Sequence, residues 1–191
     1  MPASDIYVSA DIEADGPIPG EYSMLSFGFS VAARYDGTTF NRANPEEQTF
    51  YRELKPISDK FDPEATAAAQ LDRAALTIRG ADPGAAMSEA HAWVKEVARG
   101  ARPVFVAYPL GFDWMFLYYY FIRFAGASPF GFSSCLDMKT MYVTKSGKLI
   151  TKATKSQMPP SLRSSRRHTH NALDDAIEQA DLFANLFEWR L

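Results

Sequence analysis

Cysteine is almost absent. Of 191 residues only Cys135 carries a thiol, so no disulfide can close within the chain, and a lone thiol suits a reducing compartment. Long apolar runs are missing too: the most apolar stretch, WMFLYYYFIRFAG, is too short to cross a bilayer and contains Arg123. The opening MPASDIYVSADIEADG lacks the basic start and apolar centre of a secretion signal. These absences point to a soluble, cytoplasmic protein with no membrane partner. No repeat, low-complexity tract or linker divides the chain, and residues 1–191 read as a single domain. Acidic residues are missing from one place. Between Asp137 and Asp174 there is none, while Lys139, Lys145, Lys148, Lys152, Lys155, Arg163, Arg166 and Arg167 stand there. With a net charge of −3 overall, the remainder carries −11. Such a stretch either meets a polyanion or is a solvated loop, and charge alone leaves both readings open.

What is present describes a folded core. Hydrophobic residues make up 47% of the chain and aromatics 14%, which excludes a mainly disordered protein. DIYVSADIEA alternates Ile6, Val8 and Ala10 with polar neighbours, as a strand does. YSMLSFGFSVAARY and QTFYRELKPI read as two more strands, with turns at Asp36-Gly37 and Asn44-Pro45. Helices are predicted at DPEATAAAQL and at AAMSEAHAWVKEVARG, where Met87, Trp93, Val94 and Val97 share a face and Gly100 ends the run. RPVFVAY is a short buried strand, and FDWMFLYYYFIRF a helix apolar on almost every side, wrapped by the fold or held in a subunit contact. FSSCLDM suggests a fifth strand and NALDDAIEQADLFANLFEWR a long amphipathic helix, whereas GKLITKATKSQMPPSLRSSRR has no period and reads as a loop. The expected class is α/β, with a five-stranded sheet of mixed direction flanked by helices.

Three weak signals concern chemistry. On a strand, Asp11 and Glu13 point to one face and Ile12 to the other, with attachment points about 6.6 Å apart at ~3.3 Å per residue. Two carboxylates so spaced can share a cation, and oxygen donors suit Mg2+ or Mn2+ rather than Zn2+. With 23 acids in the chain, chance supplies about two or three acid-x-acid pairs. A first strand is usually central and apolar, however, where paired carboxylates repel unless a cation offsets them. Asp113, just after the fourth strand, is either an N-cap or a carboxylate at a strand end, where α/β sites gather. Near the C-terminus, HTHNALDDA offers His168 or His170, and Asp174 or Asp175. Residue chemistry does not choose between these neighbours.

In chain order, DIEADG, GFDWMF and HNALDDA resemble the three motifs of the DEDDh class of 3′–5′ exonucleases, relatives of ribonuclease T, oligoribonuclease and the proofreading epsilon subunit. The resemblance spans residues 7 to 186 and implies a ribonuclease H-like fold. The family's spacing of histidine, four residues and aspartate selects His170 with Asp175. It implies that Asp11, Glu13, Asp113 and Asp175 hold two divalent cations, Mg2+ or Mn2+, about 3.5–4 Å apart, with His170 as general base. The implied reaction releases nucleoside 5′-monophosphates from single-stranded RNA or DNA 3′ ends. The connection after Glu13 is where relatives place a wedge against the terminal base, which makes Ala14, Ile18, Tyr22 and Met24 candidates for substrate contact. The basic loop before His170, with Arg166 and Arg167, becomes a phosphate guide. Many relatives carry His-Asn shortly before the middle aspartate, where this chain has AYPLGFD, so substrate contacts from that loop do not carry over.

No motif distinguishes RNA from DNA; the lack of an attached polymerase or helicase segment leans weakly toward RNA. A binding or scaffolding protein on the same fold would be expected to have lost a ligand or the histidine, and a phosphatase of small nucleotides would not need the basic loop. The apolar helix at 112–124 and the dimeric state of several relatives leave a homodimer open.

Overall fold

The computed structural model describes residues 4–190. In chain order these form β1 (Asp5–Ala14), β2 (Met24–Tyr35), β3 (Phe40–Arg42), β4 (Thr49–Glu53), α1 (Pro63–Ala68), α2 (Arg73–Arg79) and α3 (Pro83–Ala98). There follow β5 (Arg102–Ala107), α4 (Leu110–Tyr120) with a π turn at Phe121–Ala125, β6 (Cys135–Asp137), α5 (Met138–Ser146) and α6 (Ala172–Glu188).

β1 is central. It pairs antiparallel with β2 and parallel with β5, which pairs parallel with β6. β3 and β4 both hydrogen-bond to β2, at Ala33–Tyr35 and Ser26–Ser30, so they occupy one outer column broken by the turn at Asn44-Pro45. The five expected columns are therefore present, the outermost split in two. A three-residue strand such as β3 is too short to show a period.

Alternation along β1 sorts its side chains between two cores. Ile6, Val8, Ala10 and Ile12 join Met87 and Val94 of α3 and Phe116 and Leu117 of α4. Tyr7 faces the other way, its ring 4.7 Å from that of Phe183 on α6. Each fully buried Leu or Phe contributes about 1.5–3 kcal/mol relative to exposure. Asp11 and Glu13 share the parity of Tyr7, so they look toward α6.

The helices end where their sequences say they should, once caps are counted. Asn171 caps α6 by accepting the N–H groups of Leu173 and Asp174. Asp72 and Asp137 do the same for α2 and α5, with Gly80 and Gly147 after their last turns. Neither α2 nor α5 is expected from periodicity. Both are short, and Thr140, Val143 and Thr144 in α5 are weak helix formers. α4 is apolar all round for a mixed reason: Phe116, Leu117 and Tyr120 face the core, while Met115 and Tyr119 line, with Pro19 and with Ile122 of the π turn, an outer groove of about 510 Å³. Among the described residues no helix is long and apolar enough to cross a membrane.

Candidate active site

The site forms where β1 outruns its neighbour. Pairing with β5 ends at Ser9, so the next residues of β1 present an unpaired edge on that side. The Ile12 N–H on this edge donates to Asp113 Oδ1 at 3.1 Å. Asp113 thus spends its carboxylate across the fold rather than on capping its own helix; Pro109 holds the N-cap position of α4 without a side-chain bond.

α6 closes the opposite side. Gly28 of β2 is the register partner of Asp11, and a Cβ there would fall 2.5 Å from the carbonyl oxygen of Ala172. Only a hydrogen fits. The bare Cα lets the first turn of α6 lie on the sheet above Asp11, which brings Asp175 to the strand. Asp175 is fully buried. It accepts the N–H groups of Thr169 and His170, each at 2.9 Å, and its Oδ1 lies 3.0 Å from His168 Nδ1.

Carboxylate oxygens of Asp11, Glu13 and Asp175 all lie within 4.8 Å of one another. Asp113 completes the group electrostatically. Burial, then the charges of Asp113, Asp175 and Glu13, push the Asp11 carboxyl well above its usual range. Glu13 is pushed up to about 8 by burial and then by Asp175 and Asp113. Burial carries Asp113 up to about 7. Oxygen donors that repel one another in a cleft are suited to hard divalent cations, which would relieve the repulsion.

The two histidines divide. The ring of His168 contacts Asp175, whereas His170 offers Asp175 only its backbone N–H and is exposed, with φ 57° in the left-handed region. The rings meet edge to face, centroids 4.6 Å apart.

The candidates for substrate contact separate as sharply. Met24 is fully buried in the core, its N–H donating to the Tyr120 hydroxyl at 2.8 Å, so its side chain has no surface for a base. Ala14 is buried beside it. Both lie on strands, as the sequence predicts, with their side chains turned into the core and away from the connection that follows Glu13. Ile18 is exposed, and Tyr22 is half-buried with the Lys60 ammonium 5.1 Å from its ring centre. Arg166 is held between Glu46 and Asp181, at 2.6 and 3.1 Å, which neutralises much of its charge locally; Arg167 is exposed. Lys145 is likewise engaged, donating to the carbonyls of Leu186, Phe187 and Trp189 at the end of α6.

Other residues of the site carry no motif. Lys155, from the basic loop, pairs with Glu178 of α6, and its charge opposes the upward shift of both Asp11 and Asp113. Gln179 donates to Asp11 Oδ1. The available signal was Glu178-Gln179 on the apolar stripe of an amphipathic helix, where buried polar groups need partners.

No family model matches the chain. A 3′–5′ DNA exonuclease of Escherichia coli, Cap18, is 38% identical over 180 residues, which covers 94% of this chain and 90% of that protein. Among solved structures, the nuclease domain of 3′hExo, a DEDDh family member bound to rAMP, aligns with a TM-score of 0.70 at 11% identity, over 97% of this chain and 92% of that one. A 3′-exonuclease solved in recognition of the histone mRNA stem-loop also gives 0.70, at 12% identity and over 97% of this chain, which spans 63% of that one. At such identities the structural likeness carries the fold, a ribonuclease H-like mixed sheet between helices.

Proposed function

Because the chain belongs to the DEDDh family of 3′–5′ exonucleases, we propose that it degrades single-stranded DNA from the 3′ end, using divalent cations held by Asp11, Glu13, Asp113 and Asp175. The observation that supports the metal reading is the meeting, within 4.8 Å, of carboxylates that are more than 160 positions apart in sequence. What favours DNA is the 38% identical relative, named a DNA exonuclease; the weak lean toward RNA rested on no residue. A scaffold without catalysis has no support in a chain that retains all four acids and the histidine.

When bound, such cations neutralise charge on the scissile phosphate and acidify a water. The protein's own groups do the rest. Asp113 and Asp175 are fixed by backbone N–H groups, so the ligand cage is rigid before substrate arrives. His170, exposed at the rim, takes the proton of the attacking water. His168 holds Asp175 from outside the cage. Ile18 and Tyr22, on the connection after Glu13, meet the terminal base, which must be unpaired to enter. Arg167, exposed in the basic segment, faces the phosphates that follow.

End-labelled single-stranded DNA and RNA of one sequence, incubated with Mn2+, Mg2+ or EDTA, test this. Stepwise release of 5′-monophosphates is expected, faster from DNA and absent in EDTA. Faster loss of RNA would reverse the substrate, and cleavage in EDTA would remove the metals. The histidines are separated by single substitutions. His170→Ala is expected to cut turnover by at least ~100-fold, the range for loss of a general base. His168→Ala is expected to raise the Mn2+ concentration needed for half-maximal rate by ~10-fold, as loss of a ligand's support does. The opposite ranking of turnover would exchange their roles.

A further inference from the structure

Gln179 lies one turn beyond Asp175 on α6 and is 1% exposed. Both ends of its amide are used. Nε2 donates to Asp11 Oδ1 at 2.6 Å, and Oε1 accepts the Tyr108 N–H at 2.7 Å. Tyr108 follows β5 and leads through Pro109 into α4, which carries Asp113. One side chain therefore ties together the elements that bear Asp11, Asp113 and Asp175.

Packing does not require an amide at this position. Its apolar neighbours on the buried face of α6 are Ala172, Ala176, Ala180 and Phe183, beside the buried Asp175 and Glu178, and a leucine or methionine would fill the space without the cost of desolvating a polar group. The choice of donor also matters. Asp11 has carboxylate oxygens of Glu13 and Asp175 within 4.8 Å, which repel it once all are ionised. A lysine here would hold it but would repel an arriving cation; a neutral amide holds it without competing.

We propose that Gln179 is a positioning residue of the metal centre: its N–H fixes the Asp11 carboxylate toward Glu13 and Asp175 and so raises the cluster's affinity for divalent cations. The role rests on the metal-dependent reading above. Calorimetric titration of the full chain with Mn2+ tests it. Gln179→Met keeps volume and removes both hydrogen bonds; Mn2+ should bind about 10- to 100-fold more weakly, the usual range for an outer partner of a ligand. The Mn2+ concentration for half-maximal turnover should shift by the same factor, while KM for the oligonucleotide stays put at saturating metal. Gln179→Ala, which leaves room for a water to serve the Tyr108 N–H, should show the same loss and guards against any misfit of the thioether. Variants that melt earlier yet bind Mn2+ as tightly as wild type would overturn the proposal and leave Gln179 a packing residue. If the wild type itself bound no Mn2+, the metal reading beneath the proposal would fall with it.

Discussion

Asp11→Asn is expected to lower turnover about a thousandfold and yet raise the melting temperature of the protein in EDTA. The loss follows from removing one ligand charge, because cations at such sites supply several kcal/mol of transition-state stabilisation and each ~1.4 kcal/mol is tenfold in rate. The gain has the opposite origin. Burial is the chief cost of charge on Asp11, and Asp113, Asp175 and Glu13 add to it. Asparagine keeps an oxygen for the Gln179 Nε2–H and removes the repulsion. Paired measurements of rate and thermal melting check both halves. A variant that is inactive and also less stable would show that Asp11 serves the fold as much as the chemistry.

The second large effect concerns pH. Glu13 is carried from 4.5 to about 8 and Asp113 from 3.8 to about 7, with Asp11 also well above its usual value. Between the ordinary and the raised values, the folded protein keeps protons that the unfolded chain has already released. Stability falls with rising pH wherever the native state binds more protons, so in EDTA it should decline from pH 3.8, the lowest of the ordinary values, to about pH 8. Below that window both states are protonated and the effect vanishes. Discounted for the solvent that reaches Glu13, a drop in Tm on the order of 5 °C is expected, as about 2 kcal/mol gives in a domain of this size. Adding Mn2+ at the alkaline end should restore the loss, and at neutral pH its uptake should expel protons, seen as a binding heat that varies with the buffer's own ionisation heat. A melting temperature that climbs or stays level between pH 5 and 8 would mean that the carboxylates are not crowded as described.

Much of this arrangement was legible in sequence, because it depends on periodicity and spacing. The alternation of β1 placed Asp11 and Glu13 on one face, and the resemblance of three short motifs joined them to Asp113, His170 and Asp175. What escaped was of two kinds. Short elements such as β3, α2 and α5 complete fewer than three turns or a few alternations, so tertiary contacts and caps define them. Contacts that depend on three-dimensional approach left no pattern either: Gln179 meets Asp11 across 168 positions, and Lys155 opens a three-residue 3-10 turn too short to carry a period. The same limit explains Ala14 and Met24. Both sit at strand ends that the sequence predicts, but whether a strand end faces the core or the cleft is set by packing that no periodicity records.

The bare Cα at Gly28 bears on how this molecule can vary. Any larger residue there would lift α6 from the sheet, so the bank of the cleft formed by β2 and α6 is closed to gradual change in shape. Descendants with altered preferences in strand length or sugar must arise on the facing bank, in the exposed part of the connection from Pro17 to Glu21 and in the basic segment before α6, where insertions meet mostly water.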